Sequence, residues 1–259
     1  MEKTVFVDNL KINLKVVGQG EPVLILHGWG SSIKSWLKVQ EFLAEKGFKV
    51  IVPDLPGFGE SSVPEKAWTV LDYKNFIIRF AEKIGLNQFS LLGHSFGGRV
   101  SIKFAQKHPE KIKSLILCNS SGIKLELDQK TKMIYSLSRL GNTLFSKRLL
   151  SKFRKFAKKV FYFFLRHKDY VKANKIMRKT LKSVISEDLL PALSQIKTRT
   201  LIIWGEKDDM VPLKAAYIFK EKIPNSELKV FPNVKHSPHK QIPEKLAETI
   251  NNFLKRNQL

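Results

Sequence analysis

Short apolar runs alternate with segments of helical periodicity along most of this chain, and few folds accommodate that alternation. A strand followed by a helix returns in the same direction, so successive strands pair in parallel, and a parallel sheet has both faces covered by helices. The strand candidates are Val5–Val7, Lys11–Val17, Val23–Leu26, Lys49–Val52, Phe89–Leu92, Ser114–Cys118, Thr200–Trp204 and Glu227–Phe231. Val5–Val7 is expected to pair antiparallel with Lys11–Val17 at the sheet edge, across the turn at Asp8-Asn9. Helices are expected near Trp36–Lys46, Val70–Ile84, Phe96–His108, Leu213–Lys222 and Pro243–Leu254. Pro243 suits a first helical position, where a missing N–H costs nothing. The expected fold class is α/β: a mostly parallel, eight-stranded sheet with helices on both faces.

The alternation stops between residues 122 and 190, where only helical periodicity remains. Phe153, Phe156, Ala157, Val160, Phe161 and Phe164 fall on one helical face, with Lys152, Lys155 and Lys159 largely off it. A length of 259 residues suits one domain carrying an insertion. The expected organisation is a core of residues 1–121 and 191–259, with a helical cap at 122–190 inserted into it.

Net charge is +23, and residues 122–190 hold 18 basic against 5 acidic side chains. Two readings of this excess stay open: a lysine-biased composition, and a basic cap that meets an anionic membrane surface. Nucleic acid is not expected as a partner, because the chain has 37 Lys against 9 Arg and base readout favours Arg. A single cysteine, Cys118, excludes an intrachain disulfide. Residues 1–5 lack the basic-then-apolar pattern of a signal peptide, and the longest uncharged apolar run that stands out, Val160–Leu165, is far short of a membrane span. A cytoplasmic protein is the expectation.

Gly93-His94-Ser95-Phe96-Gly97 lies between the apolar strand Phe89–Leu92 and a helical stretch. In that setting G-x-S-x-G is an elbow that lifts a strained serine above the sheet, and very small neighbours are what permit the turn. Backbone N–H groups at the following helix start can stabilise negative charge. A serine hydroxyl needs a base, and the base needs an orienting acid. The acid and the histidine should follow in that order, each just after a core strand. The strand Thr200–Trp204 leads into Gly205-Glu206-Lys207-Asp208-Asp209, and Glu227–Phe231 leads into Pro232-Asn233-Val234-Lys235-His236. Asp208 is preferred as the acid over Asp209, and His236 as the base.

The other histidines sort by position. His239 lies nearer the final helix, in a helix-start or pocket role, and His108 caps a helix before Pro109. His167 sits solvated in the basic stretch, and the His94 side chain should point away from the pocket or back into the fold. None of the six has metal-ligand spacing, so neither a metal nor a cofactor is expected. The turn His27-Gly28-Trp29-Gly30 follows the strand Val23–Leu26, and the N–H groups of Trp29 and Phe96 are the expected oxyanion-hole donors. His27 is expected to brace this loop by hydrogen bonds. The Trp29 ring, with Phe161 and Phe164 from the cap, is expected to line the substrate pocket.

In these segments the chain resembles the α/β-hydrolase superfamily, in its single-domain, capped branch. The carriers are His27-Gly28-Trp29-Gly30, the loop from Pro53 to Ser61, the elbow, the segment Trp204 to Pro212, and the His236 loop with the helix that follows. The resemblance implies that the Asp54 to Ser61 loop is structural. Many relatives carry Asp where Asn119 stands and some use it as an alternative acid, which here concentrates the role on Asp208. Ser95 separates the chain from dehalogenase-like and epoxide-hydrolase-like members, whose nucleophile is Asp. Carbon–carbon hydrolases of ring-cleavage products typically have Asn before the serine, where this chain has His94. The expected substrate is a small carboxylic ester, a lactone or a thioester. The alternatives are a carbon–carbon bond hydrolase and a basic binding protein for membranes or nucleic acid.

Overall fold

The computed structural model describes residues 2–124 and 175–256. The chain divides into two compact units, Met1–Ile123 with Asn174–Leu259, and Lys124–Ala173. The second lies, Lys124 apart, outside the described residues, and with it Phe153 to Phe164 and His167.

The first unit is built on an eight-stranded sheet: β1 (Glu2–Val7), β2 (Leu10–Val17), β3 (Glu21–Leu26), β4 (Phe48–Pro53), β5 (Phe89–His94), β6 (Ile112–Cys118), β7 (Thr200–Gly205) and β8 (Ser226–Phe231). Their spatial order is β1-β2-β4-β3-β5-β6-β7-β8. Only β2 runs against its neighbours, pairing antiparallel with both β1 and β4, and the remaining pairings are parallel. Asp8 and Asn9 join β1 to β2 with φ of 48° and 64°. Both angles are positive, as a two-residue type I′ turn requires, and Asp and Asn tolerate that region best after glycine. Strand β1 begins three residues before its apolar run, because Glu2, Lys3 and Thr4 lie on an exposed edge where hydrophobic patterning is weak.

The helices that position the site are α1 (Leu37–Glu45), α2 (Val70–Lys83), α3 (Phe96–Lys107), α4 (Lys175–Ser186), α5 (Lys214–Lys222) and α6 (Pro243–Lys255). Alternate residues of the central strands serve opposite faces. Val23, Ile25, Val50 and Val52 join Trp36, Val39 and Leu43 at α1 with Leu246, Ile250 and Phe253 of α6 in one core. Helices α2 and α3 pack together, with α3 against β5 and β6. A reciprocal capping box starts α2: Thr69 Oγ1 accepts from the Asp72 N–H, while the Asp72 carboxylate accepts from the Thr69 N–H. Such a cap contributes about 1 kcal/mol. Helix α4, inside the stretch expected to be purely helical, belongs to the same compact unit as the sheet. There the Trp68 N–H donates to Thr180 Oγ1 at 3.0 Å.

Candidate active site

Strand β5 runs two residues past its apolar stretch, through Gly93 and His94, and delivers Ser95 at the point where α3 begins. Ser95 has φ 52° and ψ −111°. A non-glycine residue held there costs on the order of 1–3 kcal/mol, and close packing around it supplies the restraint. A methyl group on Gly97 would come within 2.1 Å of the Leu26 carbonyl oxygen, and one on Gly93 within 2.5 Å of the Gly97 carbonyl oxygen. Glycine is required at both positions because backbone occupies the space. The Ser95 N–H donates to the Cys118 carbonyl at 3.2 Å, and the Ser95 carbonyl accepts from the Ser121 N–H and hydroxyl at 3.1 and 3.0 Å. The strained residue is thereby fastened to the end of β6.

Asp208 and His236 lie on the loops after β7 and β8. His236 Nε2 is 3.0 Å from Ser95 Oγ, and His236 Nδ1 is 2.8 Å from Asp208 Oδ2. All three residues are buried, whereas Asp209 is exposed. Of the two aspartates, the geometry puts Asp208 against the imidazole, and Asp209 faces solvent. With Nδ1–H donated to the carboxylate, Nε2 presents a lone pair to the serine hydroxyl, which is the tautomer a base needs. The Asp208 carboxylate is saturated: Oδ2 also accepts from Asn119 Nδ2 at 2.7 Å, and Oδ1 accepts from the Met210 and Val211 N–H groups at 2.8 and 3.0 Å. Burial alone would raise this carboxyl. The hydrogen bond and charge of His236, joined by Asn119 and the Val211 N–H, outweigh burial and hold it below the ordinary Asp value.

The sequence shows in Asn119 only a residue unable to act as an acid, and the structure adds a positive role. It follows β6 directly with φ 43°, a conformation Asn tolerates, and its amide is aimed at Asp208. The available signal was its place at the end of the strand beside β7, on the sheet edge from which the acid loop leaves.

Phe96 follows Ser95 in the chain, and Trp29 follows Gly28, where an added Cβ would lie 3.4 Å from Ser95 Cβ. Phe96 opens α3, so its N–H precedes the first intrahelical hydrogen bond. The Trp29 ring packs edge-on against Phe58 at 4.8 Å and Phe96 at 5.3 Å, and Phe96 continues the aromatic contact to Tyr73 at 4.9 Å. His27 braces the loop as expected: Nδ1 donates to the Gly28 carbonyl at 2.8 Å, and Nε2 accepts the Leu55 N–H at 3.0 Å. Burial lowers its pKa and keeps the ring neutral enough to accept.

His108 caps α3 and lies between Lys74 Nζ and Glu110. His239 sits in the one-turn helix Pro238–Gln241, stacked on Trp36 with ring centroids 4.5 Å apart. His94 points back into the fold. Phe161 and Phe164 lie outside the described residues, as does most of the 122–190 cap. Among the described residues no helix is long and apolar enough to cross a membrane.

This architecture, with a serine elbow ahead of acid and histidine loops, defines a hydrolase class. The model of the α/β hydrolase fold family matches residues 21–241, and the chain belongs to that family. It is similar to Lipase 1 of Psychrobacter immobilis, with 29% identity over 256 residues, covering 90% of this chain and 76% of the relative. It is also similar to the 2-hydroxy-6-oxo-6-phenylhexa-2,4-dienoate hydrolase of Burkholderia cepacia, with 28% identity over 251 residues, covering 88% and 85%. Among solved structures, a bacterial membrane phospholipase A described as a virulence factor superposes with a TM-score of 0.79 at 26% identity, covering 98% of this chain and 86% of that one.

Proposed function

We propose that the protein is a serine hydrolase that cleaves carboxylic esters, lactones or thioesters included, through an acyl-enzyme. The observation that carries the reading is the continuous chain Ser95 Oγ, His236 Nε2, His236 Nδ1, Asp208 Oδ2, with separations of 3.0 and 2.8 Å. Ser95 Oγ attacks the carbonyl carbon while its proton passes to His236 Nε2. Asp208 holds the imidazole in register and stabilises the imidazolium. The N–H groups of Trp29 and Phe96 receive the oxyanion. The carbon–oxygen bond then breaks and the leaving oxygen takes the proton from His236. Water attacks the acyl-enzyme as one of its protons passes to His236, and the acid is released as Ser95 Oγ takes that proton from His236. Only side chains, backbone N–H groups and water take part.

The Trp29 ring, packed on Phe58 and Phe96, supports an apolar wall beside the nucleophile. On this reading the cap expected at 122–190 is narrowed to the part before α4, which belongs with the sheet, and Phe161 and Phe164 are the residues proposed to contribute to the acyl pocket. The basic excess of this segment suits an anionic membrane surface as partner and not nucleic acid. A cytoplasmic setting fits a chain whose single cysteine is buried and free.

A second reading, hydrolysis of a carbon–carbon bond, draws on the similarity to the Burkholderia cepacia dienoate hydrolase. A panel of p-nitrophenyl esters of increasing chain length, with lactones and a 2-hydroxy-6-oxo-dienoate alongside, separates the two. Turnover of esters with the dienoate inert is the expected result. Cleavage of the dienoate with esters inert would replace the ester reading.

A further inference from the structure

Behind the base lies a group of buried rings that the reaction as written does not use. His94, His239 and Trp36 pack on one another: His94 and His239 have centroids 4.5 Å apart, and His239 is stacked on Trp36 at the same separation. The His94 ring also lies 5.0 Å from that of His236. His94 Nε2 is 2.8 Å from the His236 carbonyl oxygen. A carbonyl only accepts, so Nε2 carries the proton and Nδ1 carries the lone pair. On that other side the ring meets the oxyanion loop, because a methyl group at Gly28 would come within 2.9 Å of His94 Nδ1 and 3.4 Å of Ser95 Cβ. One imidazole thus adjoins the three moving parts of the site. It precedes the nucleophile in the chain, packs against the loop that carries the Trp29 N–H, and holds the backbone of the base.

We propose that His94 is a positioning residue, whose Nε2–H bond to the His236 carbonyl sets the distance between base, nucleophile and oxyanion loop. The proposal rests on the serine-hydrolase reading above and deepens it. A hydrogen bond from the residue beside Ser95 to the backbone of His236 makes a brace that excludes relative sliding of the elbow and the β8 loop. A displacement of about 1 Å between nucleophile and base costs about 10²-fold in rate. The neighbouring imidazole must also be a poor base, or the serine proton would have two destinations. Burial, reinforced by the charge of His236, pushes His94 down to about 3, against the partial support of the His236 carbonyl and Asp208. Lys240 acts in the same lowering direction. His94 therefore stays neutral while His236 carries the proton.

Three variants of the full chain test the brace: His94→Phe, which keeps the ring shape without a donor, His94→Gln, whose amide reaches the Nε2 position, and His94→Asn, whose amide falls one methylene short. The readouts are kcat and KM on p-nitrophenyl butyrate, the rate of phosphonate labelling at Ser95, and the proton resonance of His236 Nδ1–H. His94→Phe should lose about 10²-fold in kcat and in labelling rate with KM little changed, and His94→Gln should recover most of that loss. His94→Asn should fall between them, and its His236 Nδ1 proton should exchange faster with water than in wild type or His94→Gln. Equal labelling rates in wild type, Gln and Asn would overturn the brace, even if His94→Phe failed to fold. So would a folded His94→Phe that labelled at the wild-type rate, since a packing role alone would lower the melting temperature and leave labelling intact. Failure of wild type to label at all would instead overturn Ser95 as nucleophile, while the Nδ1 proton comparison still judges the brace.

Discussion

Two buried aspartates at the same end of the sheet, Asp54 after β4 and Asp208 after β7, are held by nearly the same device. Asp54 Oδ1 accepts the Ile33 N–H at 2.8 Å, and its Oδ2 accepts Asn13 Nδ2 at 3.1 Å and the Glu60 N–H at 2.9 Å. Asp208 likewise takes two backbone N–H groups and one asparagine amide. The difference is the fourth partner. Asp208 has His236 Nδ1 at 2.8 Å, and through that ring it reaches Ser95. Asp54 instead ties the loop after β3 to the loop after β4 and to β2, which keeps the His27 to Gly30 turn in place. A buried carboxylate held by backbone N–H groups and an asparagine amide is therefore a structural pin by default, and an imidazole as its fourth partner converts it into an orienting acid.

The comparison breaks most visibly at the nucleophile and base. Ser95→Ala or His236→Ala should reduce ester turnover by about 10⁴-fold or more with folding retained, measured as kcat/KM beside a thermal melt. Asp208→Asn should cost about 10²- to 10⁴-fold, because an amide can offer a donor where the His236 Nδ1–H needs an acceptor. Asp209→Asn, at an exposed side chain, should stay within about twofold. A larger loss at Asp209 than at Asp208 would reverse the assignment of the acid.

The counterpart on the structural side is Asp54→Asn, which turns one acceptor oxygen into an NH₂ facing the existing donors. A loss of about 1–3 kcal/mol in urea unfolding, with kcat/KM changed only a few-fold in the surviving folded enzyme, is expected. A catalytic loss as large as that of Asp208→Asn would remove the distinction between the two carboxylates.

The smallest effect concerns acid stability. Asp208, held below its usual value by His236, contributes stability present above the unfolded carboxyl pKa and lost as pH falls through the folded one. His94 acts higher on the scale: its folded value of about 3 lies below the free 6.5, so between them only the unfolded chain takes up the proton. Burial lowers His27 and His239 in the same direction. Stability should therefore begin to fall near pH 6.5, above the range of the carboxylates. His239→Phe, which keeps the stack on Trp36, should flatten that slope by up to one proton, about 1.4 kcal/mol per pH unit. Urea midpoints from pH 7 to 5 that coincide for the two proteins would remove His239 from this account.

Sequence periodicity determined the parallel core, because a strand buried on both faces carries a near-continuous apolar run, as Leu91–Leu92 of β5, Leu115–Cys118 of β6 and Leu201–Trp204 of β7 do. The elbow and the two loops could be read for a related reason: Ser95 directly follows β5, and Asp208 and His236 lie on the short loops that leave β7 and β8, strands whose ends are fixed by their pairing. Where an element carries little patterning, the reading was shorter than the structure, as at the polar start of β1. What the sequence could not contain was the set of contacts across 89 to 142 positions of chain: Asn119 on Asp208, and His94 on the His236 carbonyl. Those depend on β5, β6, β7 and the loop after β8 lying side by side. Neither Asn119 nor His94 belongs to a local pattern that distinguishes a partner from a spectator. The chain decided which residues end the strands, and only the packed sheet decided which of them touch.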